Sequence, residues 1–261
     1  MDTSLGYFRS KVGAYSPFMA CIVSAYYKIP SKKPHEWYLP YLLSWFRAAA
    51  SNTVPVHFFT TEDVREELES LTDISRIQFH ILPFEQLSAL QLGRDFWHIQ
   101  YVRDPERYHT PELGMIWYEK RHFIRRVMEI ETGASAFIWC DAGCIRNDGC
   151  EEVAKELGRR VTTYEKGRMY LQCIKEPVKR EFYQYPDEFI ACGILAGDRG
   201  AWKEFIGLYE VTVFEYTAAG IPTISDQHLT SRCVYKRPDL FLLWKEDGKV
   251  DGTWFKFLEL L

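Results

Sequence analysis

Two charged residues, Asp141 and Lys120, are candidates for contacting a phosphorylated ligand. Asp141 directly follows the apolar run 137–140, so its carboxylate ends a predicted buried strand and could hold a hard divalent cation and its phosphates. An ordinary strand-end turn explains this residue equally well. Lys120 lies at the centre of an apolar helical stripe, so its ammonium must reach solvent, pair with a carboxylate or meet a ligand phosphate. A lysine and a metal-bound carboxylate together would suit a diphosphate leaving group.

A third polar group, Asp226, Gln227 and His228, opens another predicted helix. The simple interpretation makes Asp226 the helix N-cap. Alternatively, a carboxylate, a carboxamide and an imidazole at a helix start could bind sugar hydroxyls, supply a base or complete a metal shell.

Short apolar runs alternate with amphipathic segments along the chain, which predicts an α/β fold with a mostly parallel sheet covered by helices. Predicted strands span residues 18–27, 54–60, 76–82, 135–145, 169–174, 189–196 and 239–244. Predicted helices lie around residues 41–50, 61–71, 113–131, 202–213 and after Ser225. Residues 83–112 are predicted to form an irregular excursion of the kind that is often functional.

In an open α/β sheet, ligands bind beyond the carboxyl ends of the strands, so polar residues and glycines at strand ends are the first candidates. Four segments meet this description: residues 24–28, 60–61, 141–143 and 193–197. We therefore expect these segments to converge on one site.

Composition and motifs exclude several classes of protein. The 261 residues are 47% hydrophobic and 26% charged, which predicts one large globular unit. A net charge of −4 argues against a nucleic-acid surface. Seven scattered cysteines, none spaced C-x-x-C, favour reduced thiols over disulfides or zinc. The sequence also lacks serine-hydrolase, P-loop and dinucleotide-binding motifs.

The N-terminus carries no apolar leader, and no apolar run reaches membrane length, so we expect a soluble, cytoplasmic protein. Aromatic residues make up 16% of the chain. Trp117 falls on a core-facing helical period, whereas Tyr26, Tyr27 and the aromatics of residues 96–108 have no packing pattern and could stack on a base or a sugar ring.

The order of these segments resembles the HtrL/YibB family of proposed glycosyltransferases and, more distantly, retaining nucleotide-sugar transferases of the glycogenin type. The resemblance runs over residues 20–244 and rests on the segments ACIVSAYYKIPS, VHFFTTED, MIWYEKRHF, FIWCDAG, FIACGILAGDRGAWKEF, SDQHL and PDLFLL. It implies a single GT-A-type, Rossmann-like domain over residues 1–261. Residues 18–150 would bind the nucleotide sugar, and residues 151–261 would form the acceptor side.

Carried over position by position, the resemblance implies a donor site and a metal. Asp141 matches the first aspartate of a D-x-D motif, but Gly143 stands in place of the second. Mn²⁺ or Mg²⁺ would then be held by Asp141 and the donor's phosphates, with His228 as a further ligand; alternatively, the enzyme works with weak or no metal. Asp226 and Gln227 match a D-Q pair beside the donor sugar and the acceptor. Residues implied to bind the nucleotide sugar are Ser24, Ala25, Tyr26, Lys28, Thr60, Lys120, Asp141, Gly143 and Gly193.

The resulting hypothesis is a metal-assisted glycosyltransferase that moves a sugar from a nucleoside-diphosphate donor to the hydroxyl of a glycan or glycoconjugate. Lys120, Asp226 and Gln227 would be its catalytic residues, and the D-Q pair favours retention over inversion. A non-catalytic nucleotide-sugar or carbohydrate-binding protein of the same fold remains an alternative, supported by Gly143. A sugar nucleotidyltransferase ranks last, because the loop after the first strand contains no glycine.

Overall fold

Strands and helices alternate along the chain in the computed structural model, which describes residues 20–52, 54–146, 165–178 and 188–245 together with Lys155, Tyr185 and Phe255. The strands are β1 (Ala20–Ala25), β2 (Val56–Thr60), β3 (Ile77–Ile81), β4 (Ala136–Cys140), β5 (Met169–Cys173), β6 (Ile190–Asp198) and β7 (Phe241–Trp244). The helices are α1 (His35–Ser51), α2 (Glu62–Leu71), α3 (Arg94–Arg103), α4 (Pro111–Ile130), α5 (Arg199–Ala218) and α6 (Asp226–Lys236). Each predicted strand and helix has a counterpart here. The predicted boundary between the two halves, near residue 150, lies outside the described residues.

The strands form one mixed sheet in the order β3-β2-β1-β4-β6-β5-β7. Neighbouring strands run parallel except at β6, which is antiparallel to both β4 and β5. The predicted mostly parallel sheet is therefore confirmed. Because β6 runs backwards, Gly193 near its start lies at the carboxyl edge of β4, where Ile194 pairs with Cys140.

This reversal corrects one expectation about the strand ends. Gly197 pairs with Phe137 near the start of β4, at the opposite edge of the sheet from Gly193. The segment 193–197 therefore does not face the site as a unit, and only its first part lies at the edge where the other candidate segments end.

Helices cover both faces of the sheet, as predicted. One hydrophobic cluster joins α1 and α2 to the sheet through residues such as Phe46 and Leu68. The other joins α4, α5 and α6 to the opposite face through residues such as Phe123, Trp202 and Leu229. Because both faces of the sheet are buried, the sequences of the strands are continuous apolar runs and do not alternate between apolar and polar residues. No helix among the described residues combines the length and the apolar character that crossing a membrane requires.

The prediction of an irregular excursion over residues 83–112 is wrong, because this segment is largely helical. It contains two 3₁₀ turns, Phe84–Gln86 and Ser88–Leu92, followed by α3. Trp97 of α3 is fully buried, and its indole N–H donates to the Ala89 carbonyl at 2.8 Å. A buried aromatic anchor therefore holds the segment against α4, which the lack of sequence periodicity did not reveal.

Candidate functional site

The centre of the candidate site is the ammonium group of Lys120. Its Nζ atom lies 2.9 Å from Asp226 Oδ2 and 3.2 Å from Asp141 Oδ1, and it donates to the Cys192 carbonyl oxygen at 3.0 Å. Lys120 and Asp226 are almost completely buried, whereas 32% of the Asp141 side chain is exposed. Lys120 therefore pairs with carboxylates instead of reaching solvent.

Four separate elements bring these groups together. Lys120 comes from α4, whose start is fixed by Thr110, since the Thr110 side chain accepts from the Leu113 N–H at 3.1 Å. Asp141 follows β4, Cys192 lies in β6, and Asp226 is the first residue of α6.

The N-cap of α6 is Ser225, not Asp226. The Ser225 hydroxyl accepts from the His228 N–H at 3.3 Å, and it donates to the Glu188 carboxylate. The simple interpretation of Asp226 as a cap is therefore wrong. Its carboxylate is left for the pair with Lys120.

One ammonium faces two carboxylates, so the three side chains together carry one negative charge when all are ionised. Burial opposes the charge on Lys120, but Asp141 and Asp226 outweigh burial and raise the pKa of Lys120 above its usual value. Burial raises the pKa of Asp141, and Lys120 counteracts that rise only in part. Lys120 therefore stays protonated at neutral pH and tethers both carboxylates.

A cavity of about 610 Å³ opens above this ion-pair group, at the carboxyl edge of β1 and β4. This volume lies in the range of small-molecule sites. Much of its wall consists of flat side chains, which suit a base or a sugar ring. These are Tyr26, Tyr27, Tyr38, Tyr108, Trp117, Trp139 and Phe255.

The fold brings together eight of the residues singled out from the sequence, all of which line this cavity. They are Ala25, Tyr26, Lys120, Asp141, Gly143, Gly193, Asp226 and Gln227. Strand ends from both halves of the chain thus meet at one concave surface.

Three other candidates lie near the cavity without lining it. Ser24 is completely buried in β1. The Thr60 hydroxyl is also buried and donates to the Tyr26 carbonyl at 2.7 Å, so it positions the end of β1. Lys28 pairs with Glu67 at 2.9 Å and lines a second, smaller cavity.

His228 lies away from the cavity, contrary to its expected role beside Asp141. Its imidazole is fully buried between the rings of Tyr185 and Tyr216, at centroid distances of 4.0 and 5.2 Å. Burial lowers the pKa of His228 to about 3, with a further contribution from Arg232. The structure thus gives no support for His228 as a ligand to a metal in the cavity.

The described residues around Asp141 do not fit a divalent cation. Asp141 Oδ1 already accepts from the Trp139 indole N–H at 2.7 Å and faces Lys120, and Gly143 offers no side-chain ligand. Hard divalent cations take several oxygen ligands. Two other groups of described residues could hold a metal ion, namely Cys21–His57–Glu131 and Asp104–Glu106–His109. Neither group contains Asp141 or His228.

The structure adds cavity residues that sequence reasoning missed. Trp117 lies on the cavity wall, because the first half of the α4 stripe faces the cavity and the second half packs in the core. Its position one turn before Lys120 was a signal for this. Glu188 also lines the cavity, and burial raises the pKa of its carboxyl above the usual value. Arg146 lines the mouth, five residues after Asp141.

The aromatic side chains that were predicted to stack on a base or a sugar ring divide between the cavity wall and the core. Tyr26 and Tyr27 line the cavity, as does Tyr108. Trp97, from the same predicted stretch as Tyr108, belongs to the core.

Comparison with known proteins gives the following matches. A family model described as "Bacterial protein of unknown function (HtrL_YibB)" matches residues 81–261, which is more than half of the chain. The crystal structure of mouse xyloside xylosyltransferase 1 has 15% sequence identity and a TM-score of 0.46, and the match covers 88% of this chain and 86% of that chain. A glycosyltransferase involved in the glycosylation of the major capsid of PBCV-1 has 9% identity and a TM-score of 0.42, covering 87% of this chain and 81% of that chain. A search of curated proteins finds no match.

Proposed function

Because the chain belongs to the HtrL/YibB family, whose function is not established, we propose its activity from the cavity: a glycosyltransferase that uses a nucleoside-diphosphate sugar. The acceptor would be a hydroxyl of a glycan or glycoconjugate. The observation that carries this proposal is the buried Lys120 ammonium, held between Asp141 and Asp226 on the floor of an aromatic-lined cavity at the carboxyl edge of the sheet.

The cavity suits both ends of such a donor. Its aromatic side chains offer flat faces for a base and for a sugar. Asp226 and Gln227 offer carboxylate and carboxamide oxygens to sugar hydroxyls. We assign the donor to the wall built from residues 25–146, and the acceptor to the side formed by Glu188, Asp226 and Gln227. This division follows the GT-A arrangement implied by the sequence resemblance.

In the proposed reaction, the bond between the anomeric carbon and the phosphate oxygen breaks, and its electron pair leaves with the nucleoside diphosphate. The acceptor oxygen forms the new bond to the anomeric carbon and loses its proton. Fixed cations and dipoles that face the departing phosphate lower the barrier, because they need no reorganisation as charge develops. Lys120 contributes by holding the two carboxylates in place.

We propose that the anomeric configuration is retained. Asp226, the base that inversion would need, is tied to Lys120 at 2.9 Å and is poorly placed to accept a proton. In a retaining reaction the departing diphosphate oxygen can accept the acceptor proton on the same face of the sugar. Glu188 is the competing candidate base, since it lines the cavity and its pKa is raised.

A donor panel tests the proposal. The melting temperature is measured with UDP-, GDP-, CMP- and dTDP-sugars, with and without Mn²⁺, and donor hydrolysis is then followed for each sugar nucleotide that binds. We expect one nucleotide class to raise the melting temperature and to be turned over, and Asp141→Asn to abolish turnover while the melting temperature of the free protein stays within a few degrees. Binding without turnover would favour the non-catalytic alternative. No binding under either condition would disprove the proposal.

A further inference from the structure

Arg146 holds a position at the cavity mouth that the proposed function leaves without a role. Its Nε donates to the Gly143 carbonyl oxygen, and one terminal nitrogen lies 3.5 Å from the place where a Cβ atom at position 143 would be. The guanidinium therefore lies over the turn that follows Asp141.

Aromatic rings hold this guanidinium in a defined orientation. Its central carbon lies 4.7 Å from the ring centroid of Tyr41, 5.2 Å from that of Trp37 and 5.7 Å from that of Phe255. Stacking of this kind fixes the plane of an arginine and leaves its N–H donors directed outward from the rings.

Arg146 forms no ion pair with any carboxylate of the described residues, although its side chain is exposed and lines the cavity. Lys120 differs, because two carboxylates already offset its charge. Of the described cations that line the cavity, only Arg146 and Lys32 therefore have a positive charge that no described carboxylate offsets, and Lys32 lies 4.7 Å from the Tyr108 ring centroid. A guanidinium is the side chain best matched to phosphate, since it donates two parallel hydrogen bonds.

We propose that Arg146 binds the diphosphate of the donor, so that a guanidinium fixed by aromatic rings supplies the positive charge on which departure of the nucleoside diphosphate depends. The proposal rests on the proposed function. It accounts for two findings together: the ligand set at Asp141 does not fit a divalent cation, and a cation that pairs with no described carboxylate lies over Gly143.

The test measures binding of UDP, GDP, CDP and ADP, and of the corresponding monophosphates, by isothermal titration calorimetry in EDTA and in Mn²⁺. Wild type should bind one nucleoside diphosphate equally well in both buffers. Arg146→Gln should weaken that binding by about tenfold or more. The same substitution should reduce the affinity for the monophosphate by a smaller factor, because the monophosphate lacks the second phosphate. The diphosphate affinity of Arg146→Lys should lie between those of wild type and Arg146→Gln.

Lys33→Gln is the matched control. Lys33 also lies over the Trp37 ring, at 5.9 Å, but it does not line the cavity, so its removal should leave diphosphate binding unchanged. The melting temperature of Arg146→Gln without nucleotide checks its folding.

The outcomes separate the two proposals. If no nucleoside diphosphate binds wild type in either buffer, the proposed function fails. If a diphosphate binds only with Mn²⁺, or binds Arg146→Gln as tightly as wild type, the role of Arg146 is disproved and the proposed function stands.

Discussion

The backbone N–H of Asp141 donates to the carbonyl oxygen of Gly193 at 2.8 Å. This bond continues the antiparallel pairing of β4 with β6 beyond the last residue of β4, so the floor of the cavity is part of the sheet and not of a loop. The proposed site is therefore built on rigid backbone, and substitutions at its floor should act through packing.

Gly193→Ala tests this floor. A Cβ atom at position 193 would overlap with Cε1 of Phe255, so the ring must move. We expect turnover to fall by about tenfold or more, because the displaced ring shares the cavity with the substrate. Phe255→Ala in the same chain should restore part of the loss.

Gly207→Ala is the matched control for that substitution. An added Cβ at position 207, within α5, meets nothing within 4 Å. The change should leave activity unchanged and stabilise the protein by about 0.5–1 kcal/mol through helix propensity. Equal effects at positions 193 and 207 would refute the packing argument.

Lys120→Ala should cost stability as well as activity. It leaves the buried Asp226 carboxylate without its cation, and breaking a pair of this kind costs on the order of 3 kcal/mol in free energy of unfolding. Adding Asp226→Asn should regain part of that stability and none of the turnover, because the unpaired charge is removed but the site is not rebuilt. Urea unfolding measures both variants, with Lys203→Ala on the exposed surface of α5 as the control. If Lys120→Ala alone were as stable as wild type, the stabilising ion pair between Lys120 and Asp226 would be contradicted.

Acid should destabilise the folded protein through its buried histidines. Burial is the main cause that lowers the pKa of His57 to about 4 and the pKa values of His122 and His228 to about 3. Below about pH 6.5 the unfolded chain takes up protons at these side chains and the folded protein does not. Protonation therefore stabilises the unfolded state relative to the folded state. The free energy of unfolding should therefore fall as the pH drops from about 6.5 toward 4, by roughly 2 kcal/mol per histidine near pH 5.

Urea unfolding across this pH range measures the slope. His228→Gln should make the fall with decreasing pH less steep, whatever its effect at neutral pH. His98→Gln, which removes an exposed imidazole, is the matched control. Identical slopes for wild type and His228→Gln would show that His228 is not buried as a neutral base.

The stereochemistry of the product tests the role of Glu188. Retention predicts that Glu188→Gln keeps turnover within about tenfold of wild type, because a neutral carboxamide can still accept from the Ser225 hydroxyl. NMR of the first-formed product gives its anomeric configuration. An inverted product, together with an inactive Glu188→Gln variant, would make Glu188 the general base.

Local pattern predicted most of the elements and the position of two key residues. Asp141 ends an apolar run and Lys120 interrupts an apolar stripe, and both signals lie within one element. The direction of β6 was not predictable in this way, because a continuous apolar run has the same appearance in a parallel and an antiparallel strand. The error at Gly197 has this origin.

Long-range pairing explains the other differences. No local signal joins Lys120 to Asp226, so the cap interpretation was the simpler one. Ser24 and Tyr26 differ in exposure only because the chain turns after β1, and β1 is buried on both faces. Trp117 was assigned to the core because a helical stripe does not reveal where the core ends and a cavity begins.

The Lys120 ammonium has a consequence for folding. Its contacts with Cys192 and Asp226 join α4 to segments more than 70 residues further along the chain. Contacts between such distant segments form late, because loop closure must precede them. During refolding, the activity of this cavity should therefore return later than the helical signal. The recovery of activity would then report the last stage of folding.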